Sequence, residues 1–113
     1  MSKRTVKRNL AGAAMLFAAL GDPTRLSLLR HLSEGGPASI STLAERFSLT
    51  RQGVTKHLHV LAAAGVIDGE RQGREHVWAM KPDRLADARS ILDLIARDWD
   101  DALNRLKRQV ETE

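Results

Sequence analysis

The chain has 113 residues, of which 42% are apolar, with no cysteine and a formal net charge of +4. This length favours one domain with a modest core, and the lack of cysteine excludes a disulfide framework, a thiolate metal site and a cysteine nucleophile. No apolar run is long enough for a membrane span and the pattern of a secretory leader is missing, so we expect a cytoplasmic protein without a membrane partner.

The chain begins with residues 1–8, which include four basic residues and no acidic one. We expect residues 1–8 to form a flexible basic tail that either contacts phosphate or only keeps the chain soluble. Residues 9–20 are predicted to form the first helix. A helix this apolar should be covered on more than one face, which favours contact with a partner subunit. Its apolar side consists of Leu10, Ala13, Ala14, Phe17 and Ala18, widened by Leu16 and Leu20.

A second helix is predicted after residue 21, because Asp22 is a good N-cap and Pro23 is tolerated at the first helical position. The sequence Gly-Gly-Pro at residues 35–37 should end this helix. Residues 38–40 are predicted to be one brief strand. The leucines expected to form the buried stripe of the second helix are Leu26, Leu29 and Leu32.

Two short helices with a tight connection follow, an arrangement typical of a helix-turn-helix. Ser41 is predicted to cap a third helix over residues 42–47. Thr50 is predicted to cap a fourth helix that ends before Gly65. An apolar stripe at helical spacing runs along this fourth helix and should face the core. It consists of Val54, Leu58 and Leu61.

The opposite face of the fourth helix suits a polyanion. The chain from Arg46 to Ile67 contains no Asp or Glu, and long hydrogen-bonding side chains can reach base edges and phosphates. The alternative is an ordinary amphipathic surface helix without a ligand. The side chains predicted to enter the major groove of DNA are Arg51, Gln52, Thr55 and Lys56, while His59 is predicted to face a backbone phosphate.

After Gly65 the period of the sequence changes to that of strands. Residues 66–71 and 75–80 are predicted to form a hairpin, and Gly73 in its turn can adopt a positive φ. A helix-turn-helix followed by a hairpin is a winged helix. Arg71 and Arg74 flank the hairpin tip and are predicted to contact the DNA backbone or the minor groove.

Residues 83–110 are predicted to form one long helix with a heptad-like apolar seam. Such a helix is about 42 Å long at 1.5 Å per residue, too long for one small domain to cover. We therefore expect the first and last helices to form a homodimer interface, the alternative being a purely intramolecular last helix. The seam consists of Leu85, Ala88, Leu92, Ile95, Trp99, Ala102 and Leu106. The residues expected in the interface are Leu10, Phe17, Leu92, Ile95, Trp99 and Leu106.

Several segments together resemble the ArsR family of bacterial winged-helix regulators. They are LGDPTRL at residues 20–26, STLAERF at 41–47 followed by LT at 49–50, VTKHLHVL at 54–61 and AGVI at 64–67. The likeness covers roughly residues 10–80. It implies a homodimeric DNA-binding regulator, usually a repressor, with the second helix of the helix-turn-helix in the major groove. The metal sites of the family do not carry over, because residues 42–47 lack cysteine and residues 83–113 lack histidine.

Other chemistry is weakly indicated. His57 and His59 are two residues apart, so they point to different sides of a helix and make a poor metal pair. The acidic group Asp98, Asp100 and Asp101 is read as a solvated face. Trp78 and Trp99 could line a ligand pocket, but packing in the wing and in the dimer explains them better. No phosphate loop or nucleophile motif is present, so neither an enzyme nor a cofactor is expected.

The sequence therefore predicts a mainly α fold with a small β-hairpin, a winged helix-turn-helix that binds an inverted-repeat operator as a homodimer. Two other functions stay open at this stage. One is a protein-interaction module on a winged-helix scaffold. The other is a small-molecule-gated regulator whose effector, unknown from the sequence, binds at the dimer interface.

Overall fold

Five helices and three strands follow one another in the computed structural model, which describes the backbone of residues 3–112 and the side chains of residues 10–112. The order of elements along the chain is α1 (Lys3–Leu20), α2 (Pro23–Gly35), β1 (Ala38–Ser39), α3 (Ile40–Arg46), α4 (Arg51–Ala63), β2 (Ile67–Gln72), β3 (Glu75–Met80) and α5 (Asp83–Glu111).

Helix α1 starts six residues earlier than predicted. Residues 3–8, which we expected to belong to a flexible tail, are helical. Lysine and arginine are good helix formers, and no Gly or Pro interrupts this stretch, so a helix already formed at residue 9 can extend through it. Residues 1–2 and the basic side chains of the predicted tail lie outside the described part of the chain.

The face of α1 that enters the core also differs from the prediction. Ala13, Leu16 and Ala19 are buried, whereas Leu10 and Phe17 are 49% and 39% exposed. Because α1 is apolar on several sides, the sequence pattern cannot tell which side the domain itself covers. The core takes the side with two alanines, and the larger Leu10 and Phe17 stay outside.

Helix α2 begins as predicted, with the Asp22 carboxylate accepting a hydrogen bond of 2.9 Å from the backbone N–H of Arg25. The prediction that Leu26 is buried is wrong, since its side chain is exposed. The buried face is centred on Leu28 and Leu32, one turn apart, and Leu26 lies about 200° around the helix from Leu28. Leu29 is buried as expected.

Ser39, not Ser41, caps α3. Its hydroxyl oxygen accepts from the backbone N–H of Thr42 at 3.2 Å, and the helix already includes Ser41. Both serines are suitable caps in the sequence. Strand β1 determines which serine is the cap, because pairing of Ser39 with Val77 keeps the chain extended up to Ser39.

The wing is anchored in a three-stranded antiparallel sheet with the order β1-β3-β2. Strands β2 and β3 form the predicted hairpin, with Gln72 paired to Glu75 at the tip and Gly73 at φ 64° in the turn. Strand β1 adds its two residues to the other edge of β3. The base of the wing is thereby tied to the chain that leads into α3.

The core forms where α4 packs against α1, α2, α3 and the sheet. The three residues predicted as the core stripe of α4 are fully buried. They lie among other fully buried residues from every layer, namely Leu16, Leu28, Leu32, Leu43 and Val66. The orientation of α4 is therefore fixed by apolar packing along its whole length.

Helix α5 projects away from this core. It has 29 residues and is about 43 Å long at 1.5 Å per residue. The molecule measures 69 × 31 × 20 Å with a radius of gyration of 18.9 Å, against roughly 13 Å for a compact domain of similar size. Only Ala88 is buried among the described residues of α5. None of the described helices combines the length and hydropathy of a membrane span.

The Asp22 cap predicts a pH-dependent contribution to stability. The pKa of this carboxyl lies below its ordinary value of 3.8, chiefly because the Arg25 backbone N–H donates to it. A depressed folded-state pKa adds stability above the unfolded value, and that stability is lost as the pH falls through the folded value. Asp22→Asn keeps a capping oxygen but cannot ionise.

We expect wild type to exceed Asp22→Asn in free energy of unfolding at neutral pH, and the difference to shrink below pH 3.8. Urea unfolding followed by circular dichroism measures it. Asp101→Asn, on the exposed side of α5, is the control and should show a smaller pH-dependent difference. A difference between wild type and Asp22→Asn that stays constant with pH would contradict the assignment.

Candidate nucleic-acid interface

Helix α4 presents a regular outward face. The Thr50 hydroxyl oxygen accepts a 2.9 Å hydrogen bond from the Gly53 backbone N–H and fixes the first turn. Because the opposite face is fully buried, exposed side chains recur at steps of four residues along the helix. Those side chains are Gln52, Lys56 and Val60, accompanied by His59 and Ala63.

The four residues predicted for the major groove therefore divide into two pairs. Gln52 and Lys56 lie on the outward face. Arg51 lies at its edge, and its Nη1 donates to the Ser41 hydroxyl of α3 at 2.6 Å. Thr55 is half-buried, and its hydroxyl donates to the Arg51 carbonyl at 2.7 Å. In this structure the first pair is available to a ligand, while the second is engaged within the protein.

Val60 is a member of the outward face that the sequence analysis missed. Its side chain is 40% exposed, four residues after Lys56 and eight after Gln52. Its spacing from Gln52 and Lys56 is the signal in the sequence, but an apolar residue does not stand out among candidate polar contacts. A branched apolar side chain at this place can contact a thymine methyl group in a major groove.

The wing has two chemically different faces. Residues directly opposite in an antiparallel pair share a face, so Arg71 with His76 and Gly69 with Trp78 lie together on one side. The carboxylates of the wing lie on or beside the other side, and the wing face that turns toward α4 is basic and aromatic. The residues of the acidic face are Asp68, Glu70, Val77 and Ala79, with Glu75 near the tip.

Trp78 joins the wing to α4. The His76 ring stacks on the indole with centroids 4.7 Å apart, and the His59 ring of α4 lies 6.0 Å from it in a tilted arrangement. The indole is only 4% exposed, and its N–H has no hydrogen-bond acceptor within the described chain. Stacking and packing therefore hold Trp78. His59, predicted to face a phosphate, lies exposed between α4 and the wing.

Gly69 makes this arrangement possible. A Cβ atom at residue 69 would come within 2.5 Å of the His76 Nε2 atom and 3.0 Å of the Trp78 ring. Any other residue would thus have to displace the stack. The sequence signal was a lone glycine inside a strand, which often marks a close approach.

The other histidine of α4 turns inward. His57 is half-buried, with its Nδ1 3.4 Å from the Arg25 Nη1 and 4.0 Å from the Asp22 carboxylate. The two ring environments confirm that His57 and His59 point to different sides of the helix.

The residues predicted for a dimer interface are all exposed. Leu92, Ile95, Trp99 and Leu106 leave large apolar areas uncovered along one side of α5, with Trp99 64% exposed. Leu103 and Val110 extend this exposed seam. Leu10 and Phe17 of α1 are exposed as well, as described above.

The remaining predicted chemistry is not assembled into a site. Asp98, Asp100 and Asp101 are each exposed on the surface of α5. Within the described residues, no three side chains of His, Cys, Asp or Glu come together as metal ligands would.

Comparison with known proteins identifies the family. A helix-turn-helix domain model matches residues 20–70. An ArsR-like transcriptional regulator from Rhodococcus sp. RHA1 is 34% identical with a TM-score of 0.78, over 88% of this chain and 92% of that one. The transcriptional repressor SmtB of Mycobacterium tuberculosis is 33% identical over 83% of this chain and 67% of its own length. The chain belongs to the ArsR family of transcriptional regulators.

A more distant structure shows the same fold. The homodimeric winged helix-turn-helix DNA-binding domain from Mycobacterium bovis has a TM-score of 0.67 at 19% identity, over 87% of this chain and 89% of that chain. The winged helix-turn-helix fold predicted from the sequence is thus confirmed. Proteins of the ArsR family are DNA-binding transcriptional regulators and not enzymes.

Gly69 provides a direct test of the wing packing. Gly69→Ala should destabilise the fold by about 1 kcal/mol, the lower end of the cost of overpacking, because the exposed His76 ring can move aside while the buried Trp78 ring cannot. Chemical denaturation gives the free energy of unfolding. Gly35→Ala, where a new Cβ would meet nothing closer than 3.7 Å, is the matched control. Equal stability of the two variants would show that the Trp78 stack is not as tight as described.

Proposed function

We propose that this chain is a homodimeric repressor that binds an inverted-repeat operator through α4 and the wing and lacks a cysteine-based metal sensor. The observation that carries the proposal is the outward face of α4. It presents an amide, an ammonium group and a branched apolar side chain on a helix whose opposite face is fully buried. Such a face offers both base readout and phosphate contact.

The wing supports the same docking. Arg71 lies on the wing face turned toward α4, Arg74 lies in the turn, and the acidic residues are mostly on the opposite face. A phosphate backbone running past α4 would therefore meet positive charge and imidazoles first. Sequence-independent affinity would come from these groups and would fall with salt.

Exposed apolar surface supports the homodimer. The uncovered seam of α5 and the outward side of α1 consist of large apolar residues that a monomer would leave in water. Two copies related by a two-fold axis could bury these surfaces against each other. The Mycobacterium bovis domain with the same fold is homodimeric, and the related SmtB is a repressor.

Base readout by α4 is tested by selecting preferred sites from random DNA. Gln52→Ala should weaken binding by about 1–3 kcal/mol and relax the preference at one position per half-site. We expect the same for Arg51→Ala if Arg51 leaves Ser41 to contact a base. If Gln52→Ala selects the same bases as wild type with equal stringency, α4 does not read sequence through that residue.

The wing should contribute mainly electrostatic affinity. Arg74→Ala should weaken binding to all sequences evenly and reduce the salt slope by about one unit. Arg97→Ala, an exposed arginine on the polar side of α5, removes the same charge far from the proposed interface and is the control. Titrations at two salt concentrations distinguish the two variants. If wild type bound DNA without sequence preference and with little salt dependence, a protein-interaction module would be favoured instead.

The dimer is tested by placing a charge in the exposed seam. Ile95→Glu or Trp99→Glu should split the dimer, because a buried unpaired charge is strongly unfavourable. Operator affinity should fall with it, since a single half-site provides fewer contacts. Asn104→Glu adds the same charge to the polar side of α5 and should leave the dimer intact. Light scattering reports the mass, and a Trp99→Glu dimer that binds DNA normally would refute this interface.

A further inference from the structure

The side chain of one residue on α2 contacts both α1 and α4. Arg25 lies in the first turn of α2. Its Nε donates a 2.6 Å hydrogen bond to the Ala19 carbonyl in the last turn of α1. Its Nη1 lies 3.4 Å from His57 Nδ1 on α4.

We propose that Arg25 is a positioning residue that fixes α4 relative to α1, and that it does so only while His57 is uncharged. The inference rests on the proposed function, since it concerns how the reading helix is held with respect to the proposed dimerisation helix. The contacts of Arg25, with the Ala19 carbonyl and the His57 ring, lie outside both the outward face of α4 and the exposed seam of α5.

The contact with α1 is chemically well matched. The last carbonyls of a helix have no partner within the helix, and the C-terminal end carries partial negative charge. The guanidinium of Arg25 supplies both a donor and a positive charge at the Ala19 carbonyl. Ala19 is buried, so the hydrogen bond lies where α1 enters the core. A shift of α1 would therefore move the group that also contacts α4.

The contact with α4 requires one protonation state of the imidazole. A guanidinium can only donate hydrogen bonds, so the His57 Nδ1 must be the accepting nitrogen. Protonation would place a hydrogen on that atom and set two cations 3.4 Å apart. The geometry therefore predicts that acidification weakens the contact between Arg25 and His57.

The surrounding charges define the alternative state. The charged groups near the His57 ring are the Arg25 guanidinium and the Asp22 carboxylate. Lys56 precedes His57 on α4, and α1 contributes the Ala19 carbonyl that accepts from Arg25. A protonated His57 would keep only Asp22, now 4.0 Å away, as a favourable partner. That carboxylate already caps α2. Acidification would thus break the contact between Arg25 and His57. The protonated His57 ring would then compete with the α2 cap for the Asp22 carboxylate.

The sign of the pH effect distinguishes this link from general electrostatics. Protonation of the exposed His59 and His76 adds positive charge to the proposed interface and should strengthen DNA binding. Protonation of His57 should weaken it by loosening α4. His57→Asn isolates the second effect, because the Asn oxygen can occupy the place of Nδ1 and accept from Arg25 but does not titrate.

The experiment compares the 113-residue wild-type chain with Arg25→Ala, Arg25→Lys and His57→Asn. Fluorescence anisotropy measures binding to a duplex selected by wild type, between pH 5 and 8. Arg25→Ala should lose about 5- to 50-fold in affinity, a usual size for coupling between sites, with helix content and dimer mass unchanged. Arg25→Lys should not restore affinity, because one ammonium group cannot reproduce the forked contacts. Arg30→Ala, which removes an exposed arginine of the same helix, should bind like wild type.

The pH dependence of DNA affinity is the measurement that a purely structural role of Arg25 would leave unchanged. The affinity of wild type relative to His57→Asn should fall as the pH is lowered from 8 to 5. A ratio independent of pH would overturn the role of His57, even if Arg25→Ala unfolds. Unchanged affinity of a folded, dimeric Arg25→Ala would overturn the positioning role. If wild type selects no DNA at all, it is the proposed function that fails.

Discussion

Burial of one side of α4 is the constraint on which the rest of the structure depends. Val54, Leu58 and Leu61 are completely enclosed, so rotating α4 by even a quarter turn would expose apolar surface worth several kcal/mol at about 25 cal/mol per Å². That packing decides which residues face outward. If α4 were free to rotate about its axis, no fixed set of side chains would face a ligand. The outward position of Gln52 and Lys56 is thus a consequence of core packing on the other side.

The wing adds a second constraint through close approach. Strand β2 comes near the Trp78 and His76 rings at Gly69, where a Cβ atom does not fit. The indole in turn lies beside His59 of α4. This aromatic contact helps to hold the wing against α4. Because the indole N–H lacks an acceptor within the described residues, shape and stacking outweigh hydrogen bonding at this point.

Sequence periodicity and capping predicted the elements and the α4 core face, because those signals are local. The errors arose where two local solutions are equally good. Helix α1 is apolar on several sides, so its buried face depends on what packs against it. Ser39 and Ser41 are both possible caps, and long-range strand pairing selects the first. The Arg51–Ser41 and Arg25–His57 contacts join residues 10 and 32 positions apart, which spacing along a helix cannot reveal.

Helix α5 shows why the proposed dimer and the proposed reading of DNA belong together. Its seam from Leu92 to Val110 remains uncovered because the domain is shorter than the helix. If a second copy covers it, the two α4 helices become related by a two-fold axis, and their separation follows from the α1 and α5 packing. An inverted repeat then matches that separation only if α4 keeps a fixed position relative to α1. Core packing fixes the rotation of α4, and the Arg25 link between Ala19 and His57 would fix its position relative to the dimerisation helix.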